Sequence, residues 1–414
     1  MKKAFLYKMK GAVAFTLAMS MCCPQVFARE ALSAEEQGVQ AAPVVELTEE
    51  EKAAMVIPAL TYEQALAKAK ANSADLRDLE DLIDIVSDER SDLRDDVASI
   101  KKDDYDSQKW VSYSKWLGQA KLFATEMELE SSQLQRDLQN LVLEVGIKKN
   151  FVDILSQEDS IVLAKKNAEM QQKLYEQAVV KHRLGMLSTY GTGGLDEMRI
   201  KAEQAKNNVA LAESALNQTY TKFNRLMGEE ADQRYELIYD VAYAPYETTR
   251  PLDMVISDKM SNDDLSLKLM ELSVDAAKFS SNYMPDITIE MMQAAAEKGQ
   301  AITDPYDNDE RNIYAYDSAK RSLKQAKQNK EDLMNNTYLQ IKQLETQRQN
   351  AEADLKKAET TYRIVEINYK AGNVTKTAVE QAKMGVINAQ NALKTNAYNH
   401  DMLVFTFENP SLLQ

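Results

Sequence analysis

The sequence predicts a mainly all-α protein: two tandem repeats of a very long antiparallel helical hairpin, with little β structure. The first of three observations behind this is an internal duplication. Glu203-Gln204-Ala205-Lys206 is followed by Val209, Ala212, Ala215 and Leu216, and Glu380-Gln381-Ala382-Lys383 is followed at the same spacing by Val386, Ala389, Ala392 and Leu393. Tyr175 precedes Gly185 by ten residues and Tyr362 precedes Gly372 by ten, while Phe151 and Tyr338 share the tyrosines' offset of 187 positions. So long a period indicates a two-fold architecture rather than a solenoid. The second observation is the scarcity of helix breakers, with 12 Gly and 8 Pro in 414 residues and no proline between Pro58 and Pro245 or between Pro305 and Pro410; those gaps read as long uninterrupted helices. Third, a mean hydropathy of −0.48, with abundant Ala, Gln, Lys and Glu, indicates thin helical packing rather than one large core.

Taken in order, residues 1–28 read as a signal peptide. Lys2, Lys3, Lys8 and Lys10 form a basic start, Gly11 to Met21 is apolar, and Val26-Phe27-Ala28 has the small-x-small form of a cleavage site. Cys22 and Cys23 fall inside it and raise a lipid-attachment reading, against which Met21 argues; cleavage after Ala28 leaves a mature chain without cysteine. Residues 29–59 read as an Ala/Glu-rich linker. The first repeat, 60–228, opens at Leu60-Thr61-Tyr62-Glu63-Gln64-Ala65-Leu66, with Thr61 as N-cap and Gln64 in the capping-box position. Apolar residues continue through Leu76, Leu79, Leu82, Ile83 and Val86 at helical spacing. After an ambiguous patch at 103–118, periodicity resumes near Gln119 and runs to Gly185, about 67 residues or roughly 100 Å of helix. Gly185 stands where a C′ glycine ends a helix. A loop with Gly191, Gly193 and Gly194 leads to a return helix from Leu195 to Met227.

Residues 229–251 form a connector in which Tyr235, Leu237, Ile238, Tyr239, Val241 and Tyr243 read as short strand or irregular structure, closed by Pro245 and Pro251. The second repeat, 252–408, pairs Asp264-Leu265 with Asp75-Leu76. Its long helix is expected from about Tyr314 to Lys370, with a turn at Ala371-Gly372-Asn373 and a return helix from Thr375 to Phe405. From tip glycine to Glu203 is 18 residues in the first repeat, but only 8 from Gly372 to Glu380 in the second. The first tip therefore carries a Gly-rich insertion and the second is a tight corner.

Charge and chemistry narrow the function. Without its leader the chain carries 46 basic against 65 acidic residues, net −19, a surface unsuited to nucleic acid. His182 and His400 are the only histidines, lie far apart in sequence and read as surface helix residues rather than ligands. Gly191-Thr192-Gly193-Gly194 lacks the Gly-Lys-Ser/Thr ending of a phosphate loop, and Asp304 to Asp309 lacks the spacing and central Gly of an EF-hand. No nucleophile–base pair is evident. Neither an enzyme nor a bound cofactor is expected.

Two copies of a long hairpin behind a signal peptide, each ending in a glycine turn, resemble the TolC family of outer-membrane efflux proteins. The residues that carry the likeness are the opening at 60–66 with Asn72-Ser73-Ala74-Asp75-Leu76, then Arg183-Leu184-Gly185-Met186-Leu187-Ser188 and Tyr369-Lys370-Ala371-Gly372-Asn373-Val374-Thr375 at the tips. The resemblance spans residues 60 to 408. It implies a TolC-like α-barrel protomer, three of which assemble as a homotrimer into a twelve-helix tube in the cell envelope. It also implies that Leu184, Gly185, Met186 and Ser188, with Ala371, Gly372, Asn373 and Thr375, meet a periplasmic adaptor that couples to an inner-membrane pump. Val209, Ala212 and Ala215, like Val386, Ala389 and Ala392, put small residues on one helix face, as close helix approach requires and as ordinary coiled-coil packing also would.

Two departures qualify the resemblance. Family members carry β-hairpins that close into a membrane barrel, but the equivalent segments here, about 103–118 and 283–316, do not contain pairs of the 9–11-residue alternating strands that a membrane barrel needs. The expectation is a tunnel without its barrel. Trp110 and Trp116, with Tyr113 and Leu117 at helical spacing, read either as an interfacial anchor in place of the barrel or as a core stripe. The second departure concerns the aperture: some members place acids shortly after the second tip glycine, where this chain has Ala378 and Gln381, with Glu380 beside them as the one candidate aperture acid. The rival expectation is a coiled-coil spacer of the envelope, structural or adhesive, that transports nothing.

Overall fold

The computed structural model describes residues 57–101, 108–191, 193–283, 288–297, 299 and 305–413. The leader, most of the linker, and parts of the two segments set against the barrel strands (102–107, 284–287, 300–304) lie outside the described residues.

Strand β1 (Ala59–Thr61) leads into α1 (Tyr62–Asn72). The expected capping box is present: the Thr61 hydroxyl accepts from the Gln64 amide at 3.3 Å, and the Gln64 side chain accepts from the Thr61 amide at 3.1 Å. The Ser73 hydroxyl then accepts from the Leu76 amide and starts α2 (Ala74–Ser99). In the second repeat α5 (Leu252–Asn262) has the same eleven-residue length as α1. Asp264 caps α6 (Leu265–Tyr283) through Oδ1, which accepts from the Ser266 and Leu267 amides at 3.0 and 3.1 Å. The caps therefore pair Ser73 with Asp264, and buried Leu76 with buried Leu267. This moves the sequence pairing of Asp75 with Asp264 by two residues, because the capping role, not the shared aspartate, marks the equivalent position.

Between the repeats' short and long helices lie the larger corrections. Helix α3 (Gln108–Arg183) begins eleven residues before the expected Gln119 and runs 76 residues. Its first turns bury Trp110, Val111 and Tyr113, so the aromatic residues read at helical spacing belong to this helix instead of a separate segment before it. Helix α8 (Pro305–Lys370) likewise starts before Tyr314, with proline in its first position, where the missing amide costs nothing. The return helices are α4 (Leu195–Met227) and α9 (Lys376–Glu408), a short helix α7 (Ile289–Glu297) precedes α8, and a 3₁₀ turn (Pro410–Leu412) follows α9. The connector contributes β2 (Glu236–Ile238), parallel to β1 with Leu60 opposite Leu237.

The chain forms two compact units, each drawing on both repeats. The smaller comprises, among the described residues, 90–101, 108–124, 277–283, 288–297, 299 and 305–316. Gly118 matters there, because a Cβ at that position would stand 2.6 Å from a Val97 methyl. Phe123 and Phe279 stack with ring centroids 3.8 Å apart.

The larger unit, residues 57–89, 125–276 and 317–413, holds two cores built on one plan. In the first, Ile147, Phe151 and Ile154 of α3 pack with Ala65 and Ala69 of α1 and with Tyr220, Phe223 and Met227 of α4. In the second, Met334, Tyr338 and Ile341 of α8 pack with Val255 and Ile256 of α5 and Phe407 of α9. Each α8 residue lies 187 positions after its α3 counterpart, the offset read from the sequence. Buried aromatic residues of this kind typically cost about 3–5 kcal/mol to truncate.

Connector tyrosines join these cores. Tyr239 packs edge-on to Phe151, stacks on Tyr398 and donates to Asp401 at 2.7 Å. The Tyr246 amide donates to Glu345 at 2.8 Å, its carbonyl accepts from Lys342, and its hydroxyl donates to Glu408. His400, expected at the surface, is buried, with Nε2 3.5 Å from Glu345 and its ring against Tyr243. Its face of α9 turns inward because the connector lies over it.

Burial pushes the Glu345 pKa up, but hydrogen bonds from Lys342 and the Tyr246 amide outweigh that and hold it below the usual glutamate value. A carboxylate depressed in the folded state contributes stability above its unfolded pKa and loses it as pH falls through the folded one. Urea midpoints should therefore drop below about pH 4.3, and Glu345→Gln should flatten that part of the profile.

At the chain's end, Lys330 sits 3.4 Å from fully buried Asp264 and donates to the carbonyls of Pro410 and Leu413. Ser411 accepts from the Leu265 amide and donates to the Asp263 carbonyl. Lys330→Ala strands the Asp264 charge and should cost about 3–5 kcal/mol. Urea unfolding checks this, and Asp264→Asn should cost less because its side-chain oxygen still caps α6.

Candidate functional site at the two helical tips

Both tips belong to the larger unit. At the first, Gly185 lies at φ +69°, its amide donates to the His182 carbonyl at 2.9 Å, and the Met186 amide reaches back to Lys181 at 2.8 Å. At the second, Gly372 lies at φ +78°, with the same pair of bonds from Gly372 to Tyr369 and from Asn373 to Asn368. Both turns are Schellman caps, and the left-handed conformation they require explains why glycine recurs at these positions.

Beyond the glycines the tips diverge. The second closes in residues 371–375, with the Thr375 hydroxyl capping α9 by accepting from the Ala378 amide at 3.3 Å. The first runs through 184–191 and 193–194, folded back on itself. The Leu195 and Asp196 amides donate to the Ser188 and Thr189 carbonyls, and His182 Nδ1 lies 2.8 Å from the Leu187 carbonyl. The Ser188 hydroxyl donates to the Tyr190 carbonyl, and the Gly193 amide donates to Glu197. Hydrogen bonds from Lys201 and then Gly193 hold the Glu197 pKa below the usual glutamate range.

Of the eight tip residues read from the sequence, Ser188 and Thr375 commit their hydroxyls to the turns themselves. Leu184 and Met186 stand 67% and 75% exposed. Tyr190, 79% exposed, escaped the sequence reading because it lies in the insertion and has no counterpart in the second repeat. Glu380 is exposed in the second turn of α9. Trp110 is buried and Trp116 half-buried in the smaller unit, each within 6.2 Å of the Tyr113 ring. Along the small-residue stripe the two repeats match: Val209, Ala212, Val386 and Ala389 are half-buried and Ala215 and Ala392 exposed, while Ala202 and Ala205 nearer the first tip are buried. No described helix is long and apolar enough to cross a membrane.

The fold is that of a TolC-like α-barrel protomer. The outer membrane protein VceC of Vibrio cholerae matches with a TM-score of 0.59 at 10% identity, over 85% of this chain and 96% of that one. The outer membrane channel CmeC of Campylobacter jejuni matches at 0.58 and 10% identity, over 85% and 86%. The outer-membrane channel OprN matches at 0.61 and 8% identity, over 85% and 90%. No family model matches the sequence, and no curated protein does.

Replacing Gly372 by valine forces a β-branched residue into the left-handed region, at a cost of about 1–2 kcal/mol. Faster hydrogen exchange around residues 369–375 and a lowered melting temperature check this. Gly146→Ala, in mid-helix with open space around the new Cβ, should instead stabilise by up to about 1 kcal/mol.

Proposed function

We propose that this chain is the subunit of a TolC-like efflux or secretion duct. Three copies enclose a water-filled bore that carries small molecules or polypeptides through the cell envelope, with a periplasmic adaptor and an inner-membrane pump. The observation that carries the reading is the duplicated hairpin with matched Schellman tips, in a fold that outer-membrane channels share over most of their length. Large apolar side chains left open on the long helices, among them Leu211, Leu339, Ile364 and Ile367, support lateral association with further copies. The leader read at 1–28 supports export, and the protein acts as a conduit, not an enzyme.

The segments equivalent to the family's barrel strands are helical over 108–118, 289–297 and 305–316. This supports a duct whose described residues contribute no β-hairpin to a membrane barrel.

Mass determination of the purified mature protein should give a trimer, and end-on negative-stain views should be hollow. Cells lacking it should become sensitive to toxic compounds. Solid end-views and unchanged sensitivity would replace the duct by a coiled-coil spacer.

A further inference from the structure

In the larger unit, helix α3 of the first repeat meets α9 of the second through two ion pairs. Lys148 lies 2.9 Å from Asp401 and Asp159 lies 2.7 Å from Lys394. The Lys148 ammonium also stands 4.5 Å from the centre of the Phe405 ring. The sign of the charge changes along each helix, so only an antiparallel approach sets unlike charges together. A parallel one would oppose lysine to lysine and aspartate to aspartate.

The offset of 187 that relates α3 to α8 carries this covered face onto an open one. On the core side the two helices match: Ile147 and Ile154 are buried, as are Met334 and Ile341. On the ion-paired side they do not. Val152 is 8% exposed and its counterpart Leu339 is 63% exposed. Ser156, Asp159 and Leu163 are half-buried, whereas their counterparts Gln343, Thr346 and Asn350 are exposed. Leu339 and these three recur at helical spacing and so share one face of α8.

The charges do not repeat with the helices. Asn335 and Thr346 hold the α8 positions equivalent to Lys148 and Asp159, and both donate to carbonyls one turn back in their own helix. The return helices are related by 177 positions, as Glu203 is to Glu380, and there Asn217 and Asn224 stand for Lys394 and Asp401. Asn217 accepts from Arg234, and Asn224 donates to the Ala231 and Gln233 carbonyls. One long helix and one return helix are thus charged at these positions, and the other two are neutral.

We infer that these four charges act as an address: they assign α9 to the α3 of its own chain and leave the open α8 face to the neutral α4 of a second copy. This rests on the duct reading and goes beyond self-association, because it names the residues that decide which return helix each long helix accepts. A second copy is the occupant because the α8 face repeats one that α3 already seats against a return helix of this chain. A wrong pairing, α9 on α8 or α4 on α3, strips two charges of their partners and supplies none in exchange. Specificity then comes from the penalty on the wrong partner as much as from attraction to the right one.

The test places a photo-crosslinking residue at Leu339 of the full chain, maps the captured peptide and measures particle mass, with and without Asn335→Lys and Thr346→Asp. Without them the captured peptide should come from α4 of a second copy, in particles of one mass. With them α8 carries the charges of α3, so capture of α9 from a second copy should rise about tenfold. The particles should then become heterogeneous in mass. Capture of α9 without the added charges, or an unchanged peptide and mass with them, would overturn the proposal while leaving a hollow trimer intact. Should that variant fail to fold, Asp401→Asn with Lys394→Asn makes α9 as neutral as α4 and should likewise give mixed capture and mixed mass. A lowered melting temperature with one mass and capture of α4 alone would make the ion pairs plain stabilisers and overturn the address. Solid end-views would instead overturn the duct reading, whatever Leu339 captures.

Discussion

In the larger unit each long helix packs a matched triplet against three other segments: buried Ile147, Phe151 and Ile154 in α3, and buried Met334 and Ile341 with half-buried Tyr338 in α8. Most of an amphipathic helix's stability comes from covering its apolar face, not from helix propensity. Here the first helix of the repeat, the return helix and the connector provide that cover. The positive-φ glycines, the caps and the strand pair then fix where the chain turns, but they act on helices these triplets have already placed.

The two cores share a plan but not a chemistry. Around Phe151 the partners are aromatic and aliphatic, with edge-on rings from Tyr62, Phe223 and Tyr239. Near Tyr338 the neighbourhood turns polar: Lys342, Glu345 and Glu408 grip the backbone and hydroxyl of Tyr246, and His400 is enclosed beside them. Once a unit has been duplicated, one copy can trade apolar burial for a hydrogen-bonded charge cluster, provided every buried charge keeps a partner.

What the sequence showed depended on how local the physics was. The capping box at Thr61 and Gln64 and the glycines at 185 and 372 were legible because a cap or a left-handed residue is specified within five or six positions. The 187-residue offset was legible because it recurs. His400 was misread because its burial comes from a connector far away in sequence. Lys330 and Asp264, 66 positions apart, gave no sign of meeting. Ala215 and Ala392 were matched as a pair and share the same exposure, since repetition shows equivalence between positions. At the tips the glycines were readable, whereas Tyr190 was not, because an insertion has no second copy to compare.

The small parallel ladder between Ala59–Thr61 and Glu236–Ile238 ties the start of the first repeat to the connector that follows it. Its strands lie 177 positions apart, so the earlier one has no partner until the whole first repeat and the start of the connector have followed it. Closing so long a loop costs only modestly more entropy than closing a shorter one, and the reward, a completed first core, comes before any residue of the second repeat is needed. Every residue of the first core lies between Leu60 and Tyr239, so the first half can close as its own circuit without borrowing a side chain from the second.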